Sequence, residues 1–568
     1  MDIFPPEIIG QILESFPVDQ GPITPSRERV WRAELAQFST ISRVWKASVE
    51  WITFKTLTIA SGELEAFAAL FSGENISRRA ALTTLKIVFI LPDPCNAMGC
   101  CSVVRTINRE ADSTTFSTAV VKLFAILADL EGRTTGEHPL SLAFWEAFRL
   151  SKFTEPKGTV ERPCKPAEYG QHRHSRREVL EAQAMSGQFE LLREDEIPVV
   201  HSVTTFDFRG LYDLIDLKPT WIPGIARKLP RLRELLVRRE DCYGLGRHKR
   251  LEQKECLSVS ICTIASDHLR QVRLDVRHQP MENEALPVHR FVKDSQWSQE
   301  PWFRVCKHLA TFPNLAVLKL LGGLVICPQF FRAIVDYTGV PFPSLVEFEL
   351  QFAPETADGR WFYDRDNQVI ESSRSNPIYK EFWEEKARQE AQRDDDSHYY
   401  SDSSGSEDDV RVFEDGPFRT NVVEHDKFRS LPNTNTFLPF LLDAGEAVSQ
   451  MPKLRKFVLK QGHKFAQYSD LDYFPIVSRV FELWYLKTGM PRSPKDVPTH
   501  YDPSIPSDAT YLHQNRLYWR VDCWKPWDEV QAAWNAIAGP DAKVVFLEEG
   551  KWTVHGGLID LQIYDEDF

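Results

Sequence analysis

A short phrase recurs along this chain of 568 residues. It consists of an apolar residue, Pro, any residue and Leu, then apolar positions three and five residues after that Leu. It reads LPRLRELLV at 229–237, FPNLAVLKL at 312–320, FPSLVEFEL at 342–350 and MPKLRKFVL at 451–459. Looser copies are RAALTTLKI (79–87), HSVTTFDF (201–208) and DHLRQVRL (267–274). The closing apolar pair alternates with a period of two, the spacing of a short strand with one buried face. Helical spacing precedes several copies, at Trp302-Phe303 through Leu309, Phe330-Phe331 to Tyr337, and Phe437 to Val448. A unit of helix, turn and strand this small cannot bury its own apolar face, so copies must stack on one another. At 42% hydrophobic and 26% charged, the chain has the composition for a large core.

Helix, turn and LxxLxL strand are similar to the unit of a leucine-rich repeat. Leu232, Leu269, Leu315 and Leu345 are 37, 46 and 30 residues apart, and Leu454 follows 109 later. Regular repeats run about 20 to 29 residues, so the pattern predicts irregular, loop-decorated repeats. A generic α/β body that happens to use LxxLxL strands is the alternative. From Tyr511 the pattern continues, with a strand at LYWRVDCW, a helix from Trp527 to Trp534 and a final strand pair at AKVVFLEEGKW. Trp519, Trp524, Trp527, Trp534 and Trp552 read as the packing of a terminal cap.

Charge is uneven. The chain carries a net −13, and the segment 381–415, with 13 acidic and four basic residues, holds −9 of it. Its middle, DDDSHYYSDSSGSEDD, lacks apolar periodicity, so 385–412 is expected to be a disordered insertion. Ser404 and Ser406 each have an acidic residue three positions on and are candidate phosphorylation sites. Upstream, FELQFAPETADGRWFYDRD predicts a hairpin about Asp358-Gly359, and NPIYKEFWEEKARQEAQR a charged helix. The segment 227–254 is basic, ten Lys/Arg against four Asp/Glu, and reads as a solvated face or a contact for an acidic partner. An acidic chain is a poor non-specific binder of nucleic acid or membrane surfaces. No uninterrupted apolar run approaches the ~18 residues of a membrane span.

The first sixty residues carry the most specific pattern. Pro5 suits a first helical turn, and Glu7 complements the helix dipole. Ile8, Ile9, Ile12, Leu13 and Phe16 then form an apolar stripe at helical spacing. Beyond a Pro/Gly break, Trp31, Leu35, Phe38, Ile41, Trp45, Val49 and Ile52 step by three or four. Two short helices cannot bury that much apolar surface between themselves, so a partner or the repeat body must cover the rest.

This segment resembles an F-box. The blocks are Phe4-Pro5-Pro6-Glu7-Ile8-Ile9, Ile41-Ser42-Arg43-Val44-Trp45 and Phe54-Lys55-Thr56-Leu57-Thr58-Ile59. Phe4 stands where the family has Leu, and the connection from Phe16 to Leu35 is longer than usual. The whole chain is similar to fungal F-box-like proteins with irregular leucine-rich repeats. The resemblance implies a substrate receptor whose F-box docks on a Skp-type adaptor of a cullin–RING ubiquitin ligase, with an unidentified target protein held by the repeats. It implies Phe4, Pro5, Ile8, Ile12, Leu13, Ile41 and Trp45 as adaptor-facing residues.

The expected architecture is α/β, an N-terminal helical F-box-like cap followed by an irregular leucine-rich-repeat solenoid with an acidic disordered insertion. The expected segments are 1–56 (F-box-like), 57–354 (repeats), 355–430 (hairpin, charged helix and insertion) and 431–568 (last repeat and cap).

No catalytic chemistry is legible. His172, His174, Cys95, Cys100, Cys101 and Cys164 lack any zinc-ligand spacing. Neither a Gly-x-Ser-x-Gly elbow nor a phosphate-binding Gly loop nor HExxH occurs. Neither a metal nor a cofactor is expected. Ten Cys without a CxxC and an N-terminus without a basic, apolar leader predict a cytoplasmic or nuclear protein. Two functions stay open: the ligase receptor, and a repeat-based protein-binding scaffold with no ubiquitination role.

Overall fold

The computed structural model describes residues 9, 35, 37–92, 108–133, 138–149, 188–210, 217–239, 247–265, 267–278, 288, 298–367, 429–461, 481–491, 511–521 and 524–547. The chain forms two compact units. One comprises Met1–Gly244 with Val259–Asp275 and Gly557–Phe568; the other comprises Leu245–Ser258 and Val276–Gly556.

In the first unit, α1 (Arg43–Lys55) runs directly into β1 (Thr56–Ala60). Then follow α2 (Leu64–Leu70), β2 (Thr84–Leu91), α3 (Arg109–Arg133), β3 (Leu140–Arg149), β4 (Val203–Gly210), α4 (Ile222–Lys228) and β5 (Glu234–Arg239). After α5 (Arg247–Cys262), within which the division between units falls, comes β6 (Gln271–Val276). Strands β1 to β5 pair in chain order and all in parallel, with β6 beside β5. Parallel neighbours need crossover connections, which is why helical segments alternate with the strands.

The second unit contains α6 (Pro301–Leu309), β7 (Val317–Ile326), α7 (Arg332–Val335), β8 (Glu347–Thr356), β9 (Tyr363–Arg365), β10 (Arg429–Pro432), α8 (Phe437–Gln450) and β11 (Lys456–Gln461). It ends with β12 (Phe481–Leu486), β13 (Arg516–Val521), α9 (Asp528–Ala538) and β14 (Lys543–Leu547). Strands β7, β8 and β11 are parallel, β11, β12 and β13 antiparallel, and β13 and β14 parallel again. The fold is mixed α/β with mostly parallel pairing.

All seven copies of the recurring phrase become strands: β2, β4, β5, β6, β7, β8 and β11. The turn before the strand explains the Pro. The amide of Leu232 donates to Leu229, that of Leu345 to Phe342, and that of Leu454 to Met451, so each Pro sits second in a four-residue turn. Its fixed φ suits that position. Leu232, Leu269, Leu315, Leu345 and Leu454 are all buried beneath the strands they introduce.

Aromatic rings fill the space between helices and strands. In the first unit Phe116 of α3 packs on Phe89 of β2 at 4.6 Å between centroids, and Trp221 lies 4.8 Å from Phe208. Helix α3 is long and apolar enough to cross a membrane, yet its Phe116, Val120, Leu123, Phe124 and Leu127 are core residues. In the second unit Phe440 of α8 lies 5.2 Å from both Phe331 and Phe352, while Trp534 of α9 packs on Phe457. The expected roles of Trp519 and Trp534 as packing residues agree with their burial.

The hairpin expected about Asp358-Gly359 is shorter than the sequence suggests. A turn forms with Gly359 at φ +87°, but a single bridge, Glu355 to Trp361, joins its arms. The outgoing arm becomes β9, which pairs with β10 instead of β8. Both edges of β8 are occupied, by β7 and β11, so no ladder edge is left for β9. The charged helix, the acidic insertion 385–412, Ser404, Ser406, Trp552 and the second strand of the final pair lie outside the described residues.

Candidate protein-binding surfaces

Three arrangements bring functional side chains together. At the N-terminal end, Ser42 caps α1 by accepting from the Trp45 amide at 3.3 Å. That cap fixes where the helix starts and so how its faces are aimed. Ile9, Leu35 and Val49 are buried against one another, with Phe38, Val44, Trp45 and Ile52 packed around them. The Trp45 ring stacks on Phe38 at 5.9 Å. Glu50 binds Arg78 at 2.8 Å, and Arg78 also covers the Phe54 ring, tying the helix to its own unit. Ile41 is 39% exposed and Trp51 53% exposed. Of the residues expected to face an adaptor, Ile41 is therefore exposed and Trp45 partly buried, while Phe4, Pro5, Ile8, Ile12 and Leu13 lie outside the described residues. Trp51 was missed by the sequence reading because it falls off the apolar stripe.

The second arrangement is the sheet face away from the helices. In the first unit, Ile87 of β2 pairs with Phe144 but Val88 pairs with Glu146, so Trp145 is the extra residue of a β-bulge. A bulge re-aims a side chain. Trp145 is bracketed by cations from both neighbouring strands: Lys86 Nζ lies 3.9 Å and Arg209 Cζ 3.4 Å from its ring centroid. Burial pushes the Arg209 guanidinium down to about 10, against the pull of Asp207, whose Oδ2 accepts from Nε at 3.3 Å.

In the second unit the strand face that carries Glu349 bears a charge ladder. Glu349 Oε1 and Oε2 take Lys460 at 3.2 Å and Lys319 at 3.8 Å, and Glu482 takes Arg520 at 3.1 Å. Burial alone would raise the Glu349 carboxyl; the ammonium groups led by Lys460 outweigh it and hold it below the ordinary value. Beside the ladder, Val458, Trp484, Leu486 and Tyr518 form a buried apolar cluster across β11, β12 and β13.

The third arrangement is a buried polar chain. Lys254 Nζ lies 2.8 Å from His278 Nδ1, and His278 Nε2 contacts a carboxylate oxygen of Glu355. All three residues are buried, and the arrangement ties α5 and the segment after β6 to β8. Among the described residues no group of three or more His, Cys, Asp or Glu is placed to hold a metal. His172, His174 and the cysteines weighed with them lie outside the described residues. No protein family and no curated protein matches the chain.

Proposed function

We propose that this chain is the substrate-receptor subunit of a cullin–RING ubiquitin ligase, docking on a Skp-type adaptor through its N-terminal helices and holding a target protein on an irregular leucine-rich-repeat body. The observation that carries this reading is α1. The block Ile41-Ser42-Arg43-Val44-Trp45 forms a Ser-capped helical start, the helix leads without a break into the first parallel strand, and Ile41 and Trp51 remain exposed beside it. An exposed Ile just ahead of the helix and an exposed Trp within it suit apolar contact with another protein. Parallel strands that follow in chain order, several entered through the same Pro turn, support the repeat reading.

In this proposal the receptor is itself non-catalytic, needs no cofactor and works in the cytoplasm or nucleus. Ubiquitin transfer belongs to the other subunits. The test is co-purification of a Skp-type adaptor with the full chain. Wild type should retain it, and P5E/I8E should lose at least tenfold while keeping the wild-type melting temperature. Retention by the double variant, or no adaptor on wild type, would remove the ligase reading. A protein-binding scaffold without a ubiquitination role is the second reading. The mutual burial of Ile9, Leu35 and Val49 favours it, since a plain helical cap needs the same contact.

A further inference from the structure

The strand face that carries Trp145 in the first unit and the one that carries Glu349 in the second differ, among the described residues, in one respect that bears on binding. In the second unit the cations at the ladder are held by carboxylates: Lys319 and Lys460 by Glu349, Arg520 by Glu482. In the first unit Arg209 has a single carboxylate contact, from Nε to Asp207 at 3.3 Å, long for a charge-assisted bond. Its flat face lies on Trp145 and the residue is only 8% exposed, so its position is fixed. The terminal amino groups of the fork make no hydrogen bond among the described residues, yet they are not sealed buried atoms, so the edge of the fork meets solvent. A guanidinium immobilised on a ring with a free edge is prepared for a planar two-oxygen acceptor.

We infer that Arg209, positioned by Trp145 and Asp207, receives an Asp or Glu side chain from an acidic segment of the target protein, with Lys86 on the far side of the ring adding to the attraction. Charge favours a carboxylate. Lys86 and Arg209 on one ring attract an anion, while Asp207 and Glu146, the carboxylates that act on Arg209, oppose a phosphoryl dianion more strongly than a single carboxylate. Trp and Arg together are also the residue types most often dominant at protein interfaces.

This inference rests on reading the strand face that carries Trp145 as the target-binding surface and not on the adaptor. The experiment is selection of a random 12-residue peptide library on the full chain, followed by affinity measurement with the selected peptide and its Glu→Gln or Asp→Asn variant. Wild type should enrich an acidic residue at one position, and the amide peptide should bind at least tenfold more weakly. Against R209M, acidic and amide peptides should bind equally, and R209K should fall between. The peptide substitution is read on wild-type protein, so misfolding of a variant cannot mimic the result. No acidic enrichment, an unchanged acid-to-amide ratio in R209M, or a tenfold preference for phosphoserine over Glu at that position would overturn the inference. Adaptor co-purification is scored on the same samples: its absence with peptide selection intact counts against the ligase reading alone.

Discussion

Glu300 offers a quantitative test of the second unit. Its side chain is fully buried and caps α6, accepting from the amides of Trp302 at 2.8 Å and Phe303 at 2.6 Å. Those amides favour the charged form, but burial is the larger effect and pushes the carboxyl up to about 8. An unfolded Glu titrates near 4.3. Between those values the folded protein holds a proton that the unfolded chain has released. The contribution is therefore complete below about pH 4.3 and is lost as pH rises toward 8. The slope is about 1.4 kcal/mol per pH unit, so moving from pH 5.5 to 7.5 removes on the order of 2.5 kcal/mol. At about 2 °C per kcal/mol for a unit of this size, that is a drop of about 5 °C in melting temperature. E300Q cannot titrate and surrenders one of the two acceptors, a loss of about 1 kcal/mol. It should melt below wild type at pH 5.5 and at or above it at pH 7.5. Thermal melts of both proteins across pH 5 to 8 provide the test. A constant difference between the curves would mean that Glu300 stays charged throughout, held by the helix N-terminus, and the reasoning from burial would be wrong.

Three further expectations concern stability. Arg149 binds Asp112 through both Nη groups, with both residues buried, so R149M should cost about 2 kcal/mol, less than for an unpaired buried carboxylate because Arg109 still reaches Asp112 at 3.2 Å, and D112N/R149M should recover part of it in urea unfolding. Gly322 sits at φ +90°, and a Cβ there would lie 2.4 Å from the Val276 carbonyl carbon, so G322A should cost more than about 2 kcal/mol. By contrast G539A, at φ +92° with open space around it, should cost about 1 kcal/mol by the same measurement. Replacing 385–412 with a short Gly/Ser bridge should move the melting temperature by less than about 2 °C, because loop closure depends weakly on length; a larger fall would show that this segment packs.

What the sequence disclosed and what it withheld divide along a physical line. The strands were legible because each is encoded within nine residues: the Pro turn, the buried Leu and the alternating pair are all local. The same holds for the capped start of α1. Side-chain clusters depend on register between strands distant in sequence. Lys86, Trp145 and Arg209 meet only because β2, β3 and β4 lie side by side, and no spacing rule links them. Asp112 with Arg149, and Lys254 with His278 and Glu355, are hidden for the same reason. One signal was present all the same. The buried residues of β3 are Leu140, Leu142, Ala143, Phe144, Ala147 and Arg149, with Trp145 and Glu146 half-buried in succession. A strand buried on one face keeps a period of two unless an extra residue is inserted. The lapse at Trp145-Glu146 marks the bulge. A break in alternation is therefore as informative as the alternation itself. At Trp145 it falls where the structure gathers two cations on one ring, and P5E/I8E and R209M separate the role of the N-terminal segment from that of this ring.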